Sequence, residues 1–244
     1  MNKAFDLAVM LIAVVFVMVL NQVLGVHYLV AILIMVPFLL IFFVSSAIMY
    51  NSRADLKPET IPADIFNDRI QNLNQIAIQL KEKDFERIDD FLLPMMPLTL
   101  VYIFRHKEQP CYFCLYEIGN QMAMDIITFF NNDYGITSTI SPSGGNLPRS
   151  DKKLLQIFTD VHQDELIAKH IAGVEFLKTK GLKPVMVDDK KFREKFMESM
   201  AETWKTVKKN IFWPIMVLIW SIPGRGKKYM KPVEQQFSDG TIIL

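Results

Sequence analysis

The first fifty residues contain a long apolar stretch without a charged side chain. Between Asp6 and Arg53 the chain has no Asp, Glu, Lys or Arg. This stretch holds two apolar runs, residues 7–25 and 28–50, and each approaches the ~20 apolar residues that a helix needs to cross a bilayer. The sequence therefore predicts a transmembrane hairpin of two helices over residues 1–50.

An alternative interpretation of this stretch is a signal peptide followed by a single membrane anchor. The first run is longer than the apolar core of a signal peptide, and the letters "VLG" near its end match an Ala-x-Ala cleavage site poorly. Pro37 interrupts the second run, but membrane helices tolerate proline. The hairpin is therefore the interpretation that the sequence favours.

The charges that flank the hairpin predict its orientation. Lys3 and the amino terminus precede the first run, Arg53 and Lys57 follow the second, and the connection between the runs carries only His27. Cationic flanks remain on the cytoplasmic side of a membrane. We therefore expect both ends of the hairpin, and the domain that follows it, to lie in the cytoplasm.

The pattern changes after the hairpin to that of a folded domain. Residues 51–64 are polar, contain two prolines and predict a linker. Apolar residues then recur at helical spacing from Ile65 to Leu80, with Asp64 as the predicted N-cap. This amphipathic helix begins a predicted cytoplasmic α+β domain of residues 65–186.

Short segments typical of β-strands follow the proline-rich sequence "LLPMMPL". They are rich in β-branched and aromatic residues and are bounded by turn residues. The segments are residues 99–106, 111–118, 122–130 and 135–141, with "KLLQIF" as a shorter fifth. They predict a small antiparallel sheet packed by helices. Asp89 and Asp90 are interpreted as solvated residues of the connection between helix and sheet.

The next predicted helix, residues 160–181, carries a histidine on its apolar stripe. Asp160 is its predicted N-cap and Gly181 its predicted C-cap. His170 could be catalytic if the hydroxyls of Thr137 and Thr139, or the carboxylate of Asp133, lay beside it. A triad also needs an orienting acid and a nucleophile on a strained turn, and no Gly-x-Ser-x-Gly motif is present. The sequence favours a packed or hydrogen-bonded histidine.

The only two cysteines form a Cys-x-x-Cys motif within "PCYFCLYEI". On a strand, positions i and i+3 point to opposite faces, so Cys111 and Cys114 are badly directed for a disulfide. The redox form of the motif begins a helix, and zinc would need two further ligands where only His106 is near in sequence. We therefore predict two buried or half-buried cysteines, no metal and no cofactor.

The carboxy-terminal region, residues 187–244, again carries membrane-directed patterns. A basic amphipathic helix over residues 187–210 leads into the apolar residues 211–223. Thirteen residues form a helix of about 20 Å, which is shorter than the ~30 Å hydrocarbon core. We expect this segment to lie in the cytoplasmic leaflet. The residues predicted at the membrane interface are Trp204, Lys208, Lys209, Trp213, Trp220, Arg225, Lys227 and Lys228. Burial in the domain core and an oligomer contact are the alternatives.

Residues 83–177 resemble a group of uncharacterised bacterial proteins with membrane anchors. The group has a Thr-x-Phe-x-Asp/Asn-Gly strand pair and a helix with Glu-x-Leu followed by His. The positions that correspond are Thr128, Phe130, Asp133, Gly135, Thr137, Thr139, Leu166 and His170, with extra residues inside the strand pair. Asp84 and Asp90 stand where the group has glycine. The resemblance implies an α+β domain on a bacterial inner membrane and brings no known activity.

The totals exclude one class of function and leave three open. A net charge of +1 provides no global field for nucleic acid. The sequence favours a non-enzymatic, membrane-anchored module that binds membrane lipid or a protein partner. The alternatives are a hydrolase-like enzyme that uses His170, and an accessory subunit of a larger membrane complex.

Overall fold

The structure is a computed structural model. It describes residues 14–243, except positions 16, 20, 23, 24, 26, 54, 63–66, 120 and 221–224. The predicted N-cap Asp64 and most of the predicted first membrane helix lie outside the described residues. The chain divides into two compact units, Met1–Met49 and Tyr50–Leu244.

The first unit is helical where it is described. The described positions between 14 and 22 are helical, and helix α1 (Tyr28–Asn51) follows. Between them Gly25 has a φ of 64°, and its N–H donates to the carbonyl of Asn21 at 3.1 Å. Glycine adopts this left-handed conformation without steric cost, so it can end the first helical segment here. Among the described residues, no helix combines the length and the apolar composition required to cross a membrane.

The second unit contains helices and a seven-stranded sheet, which confirms the α+β class. The helices are α2 (Asn67–Lys81), α3 (Gln163–Thr179), α4 (Asp189–Lys208), α5 (Trp213–Trp220) and α6 (Val233–Ser238). The strands are β1 (Phe85–Leu93), β2 (Thr99–His106), β3 (Tyr112–Ile118), β4 (Gln121–Phe130), β5 (Gly135–Thr139), β6 (Lys153–Ile157) and β7 (Pro184–Val185). The first six are arranged in sequence order, and β7 pairs with the end of β4.

The sheet is mixed, which corrects the prediction of an antiparallel one. Strands β1 to β5 form an antiparallel meander, but β5 and β6 are parallel. A parallel pair requires a connection that returns to the starting edge. Residues 140–152, interpreted from the sequence only as a loop, make that return.

Strand β1 is the largest element that the sequence did not predict. Its register with β2 shifts between Arg87 and Asp89, so a bulge interrupts the alternation of inward and outward residues. It also lies at the edge of the sheet, where charged side chains are common because they discourage pairing with other chains. Both features hide the period of two that identifies a strand.

Helices cover both faces of the sheet, and strand β2 shows the division. Leu100, Tyr102 and Phe104 pack on one face in a cluster with residues of α2 and α3. Val101 and Ile103 pack on the opposite face in a cluster with residues of α4. A strand buried on both sides has a nearly continuous apolar sequence.

The two cysteines lie in different layers of this core. Cys111 belongs to the cluster that includes α2 and α3, and Cys114 belongs to the cluster that includes α4. Both are free and buried, as the alternation of the strand predicts. Burial raises the pKa of the Cys111 thiol to about 12, so the thiol is protonated and unreactive at neutral pH.

Helix α4 packs on the sheet within the second unit. Phe192 and Phe196 lie in the core, although the sequence assigned this amphipathic helix to a segment that follows the domain. On β1, Asp89 accepts hydrogen bonds from Nε and Nη2 of Arg193. On β2, Nη1 of Arg105 contacts both carboxylate oxygens of Asp189, at 2.8 and 2.7 Å. Asp89 is therefore an anchor for α4 and not a solvated residue of a connection.

The ends of helix α3 agree with the sequence at one terminus only. The N-cap position belongs to His162, and the predicted cap Asp160 lies in the preceding turn with a φ of 63°. At the other end Gly181 has a φ of 88°, and the N–H of Leu182 donates to the carbonyl of Leu177 at 3.2 Å. This is the Schellman arrangement for which glycine is preferred, so the predicted C-terminus is confirmed.

Candidate functional site

The histidine of helix α3 lies in the interior between the helix and the sheet. His170 is fully buried. Its Nε2 is 2.9 Å from Oγ1 of Thr128 on β4, and its Nδ1 is 2.7 Å from Oγ of Ser138 on β5. Both ring nitrogens are therefore occupied by hydroxyl groups of the sheet.

A backbone amide fixes the orientation of the Gln156 side chain in this network. The N–H of Val233 donates to Oε1 of Gln156 at 3.0 Å, so the amide group of Gln156 has a defined orientation. Nε2 of Gln156 then donates to Oγ of Ser138 at 2.7 Å. Oγ of Ser138 therefore accepts one hydrogen bond from Gln156 and keeps a proton and a second lone pair for Nδ1 of His170. The neutral imidazole donates from one ring nitrogen and accepts at the other.

The electrostatic environment agrees with this neutral state. Desolvation by burial lowers the pKa of His170 from 6.5 to about 3. A general base is most effective when its pKa lies near the working pH. The arrangement therefore supports a structural histidine that joins α3, β4, β5 and β6.

The structure does not bring together the residues that the sequence considered as a catalytic group. Thr137 and Thr139 line a cavity on the α4 side of β5, whereas Ser138 between them contacts His170 on the α3 side. Asp133 is exposed in a short turn, with a φ of 64°. Among the residues that the structure describes, no group of His, Cys, Asp and Glu is placed to hold a metal ion.

One glycine allows α3 to approach the histidine network. A Cβ atom on Gly173 would lie 2.9 Å from Nε2 of Gln156 and 3.1 Å from Cδ1 of Ile136. Gln156 is held by hydrogen bonds on both its oxygen and its nitrogen, so it cannot move aside without breaking one. Gly173 is therefore required by the close packing of α3 against Gln156 and Ile136, and not by the backbone conformation of the helix.

Replacing Gly173 by alanine tests this close approach, because helix propensity and steric overlap change the free energy of unfolding in opposite directions. Helix propensity alone would stabilise the variant by ~1 kcal/mol. We expect the Gly173→Ala variant instead to be destabilised by ~1–3 kcal/mol, because overpacking displaces Gln156. Urea unfolding of the full chain in non-ionic detergent measures the difference. A stabilised Gly173→Ala variant would contradict the steric argument. The control is Ala172→Gly at the exposed neighbouring position, where only helix propensity should change the free energy of unfolding.

A cavity of about 400 Å³ lies on the opposite face of the sheet, beneath α4. Toward β1 and β2 its walls are mainly apolar, with Leu93, Met95 and Met96. Thr99 also lies there, and its hydroxyl donates to the carbonyl of Pro97. Toward β5 and β6 it is lined by the polar residues Tyr116, Asp125, Thr137, Thr139, Arg149 and Lys153. Its volume lies in the range of small-molecule sites, and its lining is amphipathic.

The polar end of this cavity contains the carboxyl group of Asp125 and the guanidinium of Arg149. Asp125 stands opposite Thr139 on the neighbouring strand, and the hydroxyls of Thr139 and Tyr116 hydrogen-bond its side chain. Burial raises the pKa of Asp125, and Arg149 opposes that shift. Burial also lowers the pKa of Arg149. A carboxyl group and a guanidinium with perturbed pKa values in one cavity are a recognised sign of a functional site.

Sequence reasoning named Thr137 and Thr139 but missed the charged residues of this cavity, Asp125, Arg149 and Lys153. Asp125 is the only charged residue within the apolar strand sequence "QMAMDIITFF". A single charge in a strand that is otherwise buried is a usable signal, because an unpaired buried carboxylate is costly. Arg149 lies in the long connection between β5 and β6, where no sequence period indicates which side chains turn inward.

The third candidate site is the surface of α5, defined by Ile211, Phe212, Ile215 and Ile219. The exposed fractions of these side chains are 85, 66, 61 and 52%. Three of the residues follow at intervals of four, so they lie on one side of the helical segment. Val217 and Trp220 lie on the other side and are buried.

The predicted membrane-interface residues have different environments around α5. Lys208, Lys209, Lys227 and Lys228 are exposed, and Trp204 and Trp213 are half-buried. Trp204 and Trp213 pack edge to face, with ring centroids 6.2 Å apart. Trp220 is buried in the protein and is not available to lipid. The side chain of Arg225 lies outside the description.

Comparison with protein-family models, with curated proteins and with solved structures finds no match for this chain. The resemblance of residues 83–177 to bacterial membrane-anchored proteins therefore stays a prediction.

Proposed function

We propose that this protein is a membrane-anchored, non-enzymatic module whose folded unit binds anionic lipid through the surface of α5. In this proposal the uncharged residues between Asp6 and Arg53 hold the chain in a bilayer. The observation that carries the lipid contact is that α5 is apolar on every side, while the described part of the protein covers only one side of it.

The composition of α5 supports an apolar environment on its uncovered side. The helix sequence "WPIMVLIW" contains no charged or hydroxyl-bearing residue. A helix that is apolar all round is typical of a protein core or of a membrane. Contiguous exposed apolar residues mark contact sites with membranes or proteins. Burial of each exposed isoleucine in lipid would contribute up to ~1.5–3 kcal/mol.

The charges around this surface favour anionic lipid. Lys208 and Lys209 precede α5, Lys227 and Lys228 follow it, and all four are exposed. Near an anionic membrane surface each lysine contributes ~1 kcal/mol. Half-buried Trp204 and Trp213 are of the type that occupies the headgroup region. Charge and apolar surface together therefore favour a membrane over a neutral protein groove.

The two alternative functions have less support. The enzyme hypothesis depends on His170, whose ring nitrogens both bind hydroxyls in the interior. The hypothesis of an accessory subunit would assign the α5 surface to a protein partner. The experiment below separates that partner from lipid.

A fluorescent label on α5 tests the lipid contact. The variant Ile215→Cys carries an environment-sensitive fluorophore, and the two native cysteines are buried. We expect a blue-shifted emission that brominated lipid quenches when the full chain is reconstituted in vesicles with anionic lipid. Replacing Lys227 and Lys228 by glutamine should weaken the contact by ~2 kcal/mol, at ~1 kcal/mol for each charge.

A label at the exposed Ala172 on α3 is the matched control, and we expect it to remain in a polar environment. Equal quenching at positions 172 and 215 would contradict the assignment of lipid to α5. A blue shift that requires a co-purified protein would favour the accessory subunit. A full chain that is a monomer in buffer without detergent would contradict the anchor.

A further inference from the structure

The cavity beneath α4 has a built-in division between an apolar and a polar end. Methionines at positions 95, 96 and 200 line it, together with Phe129 and Phe196. Methionine side chains are flexible and polarisable, so they adapt to apolar ligands of varied shape. The hydroxyls of Tyr116, Thr137 and Thr139 lie toward the other end. This division matches an amphipathic ligand and not a wholly polar one.

The charges of the polar end favour an anion over a cation. Nε of Arg149 is buried and has no hydrogen-bond partner among the described residues, while Nη2 of Arg149 donates to the carbonyl of Gly144 at 3.0 Å. Lys153 lines the same end, with its Nζ 3.6 Å from a carboxylate oxygen of Glu202 on α4. A buried donor without a partner is costly, and an anionic oxygen is its strongest acceptor.

The carboxyl group of Asp125 lies at the same end of the cavity. Burial raises its pKa, Arg149 opposes that shift, and the hydroxyls of Thr139 and Tyr116 hydrogen-bond the carboxyl group. When it is protonated, Asp125 is a hydrogen-bond donor that an incoming anion can use. A bound anion would therefore meet the guanidinium of Arg149, the ammonium group of Lys153 and hydroxyl groups at one end of the cavity.

We propose that this cavity binds an amphipathic carboxylate, with its head group at the guanidinium of Arg149 and its single apolar chain among Met95, Met96 and Leu93. A carboxylate presents two acceptor oxygens in the plane that a guanidinium recognises. This site is separate from the α5 surface, and it does not depend on the lipid contact proposed above.

Photolabelling of the full chain in non-ionic detergent tests the site. The probe is a decanoate that carries a diazirine on its chain, and the matched probe is the corresponding decanol. We expect the decanoate probe to label peptides that line the cavity, and unlabelled decanoate, but not decanol, to compete. The Arg149→Met variant should bind the decanoate probe about tenfold more weakly, because it lacks a charge-assisted hydrogen bond.

Two further variants keep this test decisive. Arg87→Met removes a guanidinium on β1 that does not line the cavity, and it should bind as the unchanged protein does. Ala123→Phe fills the cavity without altering its charges, and it should lose labelling by both probes while urea unfolding reports that it remains folded. Equal labelling by decanoate and decanol, or labelling that Ala123→Phe leaves unchanged, would overturn the proposal. A decyl phosphate that competes better than decanoate would overturn the assignment of a carboxylate.

Discussion

We expect the folded unit of residues 50–244 to lose stability as the pH falls below about 6.5, because His170 is held neutral in its interior. In the unfolded chain the imidazole gains a proton near its ordinary pKa of 6.5, whereas in the folded protein the pKa is about 3. Between these values the unfolded chain binds more protons, so acid favours unfolding. The stabilisation is complete above pH 6.5 and is lost as the pH falls toward 3.

The size of this effect follows from the displacement of the pKa. Each pH unit below 6.5 costs up to ~1.4 kcal/mol, so the loss between pH 6.5 and 4.5 approaches ~2–3 kcal/mol. Urea unfolding of the full chain in detergent at several pH values measures it. Carboxylates also respond to acid, and a variant without the imidazole is needed to separate the two contributions.

The matched control is His170→Gln, which keeps a neutral hydrogen-bonding side chain and removes the titration. We expect the variant to be less stable at pH 7, because glutamine cannot reach both Thr128 and Ser138 with the geometry of the ring. We also expect its stability to fall less steeply with acid than that of the unchanged protein. Parallel pH profiles for the two proteins would show that His170 is not neutral in the folded unit.

The sequence predicted those parts of the fold that can be identified from a local run of residues, without knowledge of distant partners. Strands β2 and β3 are buried on both faces, so an apolar run bounded by turns was sufficient to identify them. Gly181 marked the end of α3 because few other residues adopt its backbone conformation. In both cases a local pattern has one physical explanation.

The parts that the sequence did not predict depend on distant partners. The stripe with Phe192 and Phe196 indicates a buried face, but an amphipathic pattern is the same for a sheet and for a membrane surface. Strand β1 lost its period at the bulge after Arg87. The parallel position of β6 is decided by the path of residues 140–152, which carries no period.

The candidate sites show the same dependence on distant partners, because the sequence did not indicate which face of strand β5 meets His170. The sequence placed His170 on a buried stripe but considered Thr137 and Thr139 as its neighbours. Strand β5 alternates, so those threonines face the cavity and Ser138 faces the histidine. Neighbouring residues of β5 therefore belong to different sites, one to the cavity and the next to the His170 network. The packing of α3 on one face of the sheet decides which hydroxyl His170 contacts.

Gln156 is the residue whose loss should disturb the interior most, because it joins three backbone or side-chain groups. It is fully buried on β6. Its Nε2 donates to Oγ of Ser138 at 2.7 Å and to the carbonyl of Lys169 at 3.3 Å, and its Oε1 accepts from the N–H of Val233. A leucine side chain has a volume similar to that of glutamine but makes none of these hydrogen bonds.

We expect Gln156→Leu to lower the free energy of unfolding by ~3 kcal/mol or more, since each buried polar group left without a partner costs ~1–3 kcal/mol. Gln235→Leu, at an exposed position on α6, makes the same chemical change and should stay within ~0.5 kcal/mol of the unchanged protein. Urea unfolding of the full chain measures both variants. Because Gln156 and His170 both hydrogen-bond Oγ of Ser138, the effect of Gln156→Leu should not be additive with that of His170→Gln. Equal losses at positions 156 and 235, or strict additivity with the histidine variant, would contradict a single network that extends from the Val233 amide to Thr128.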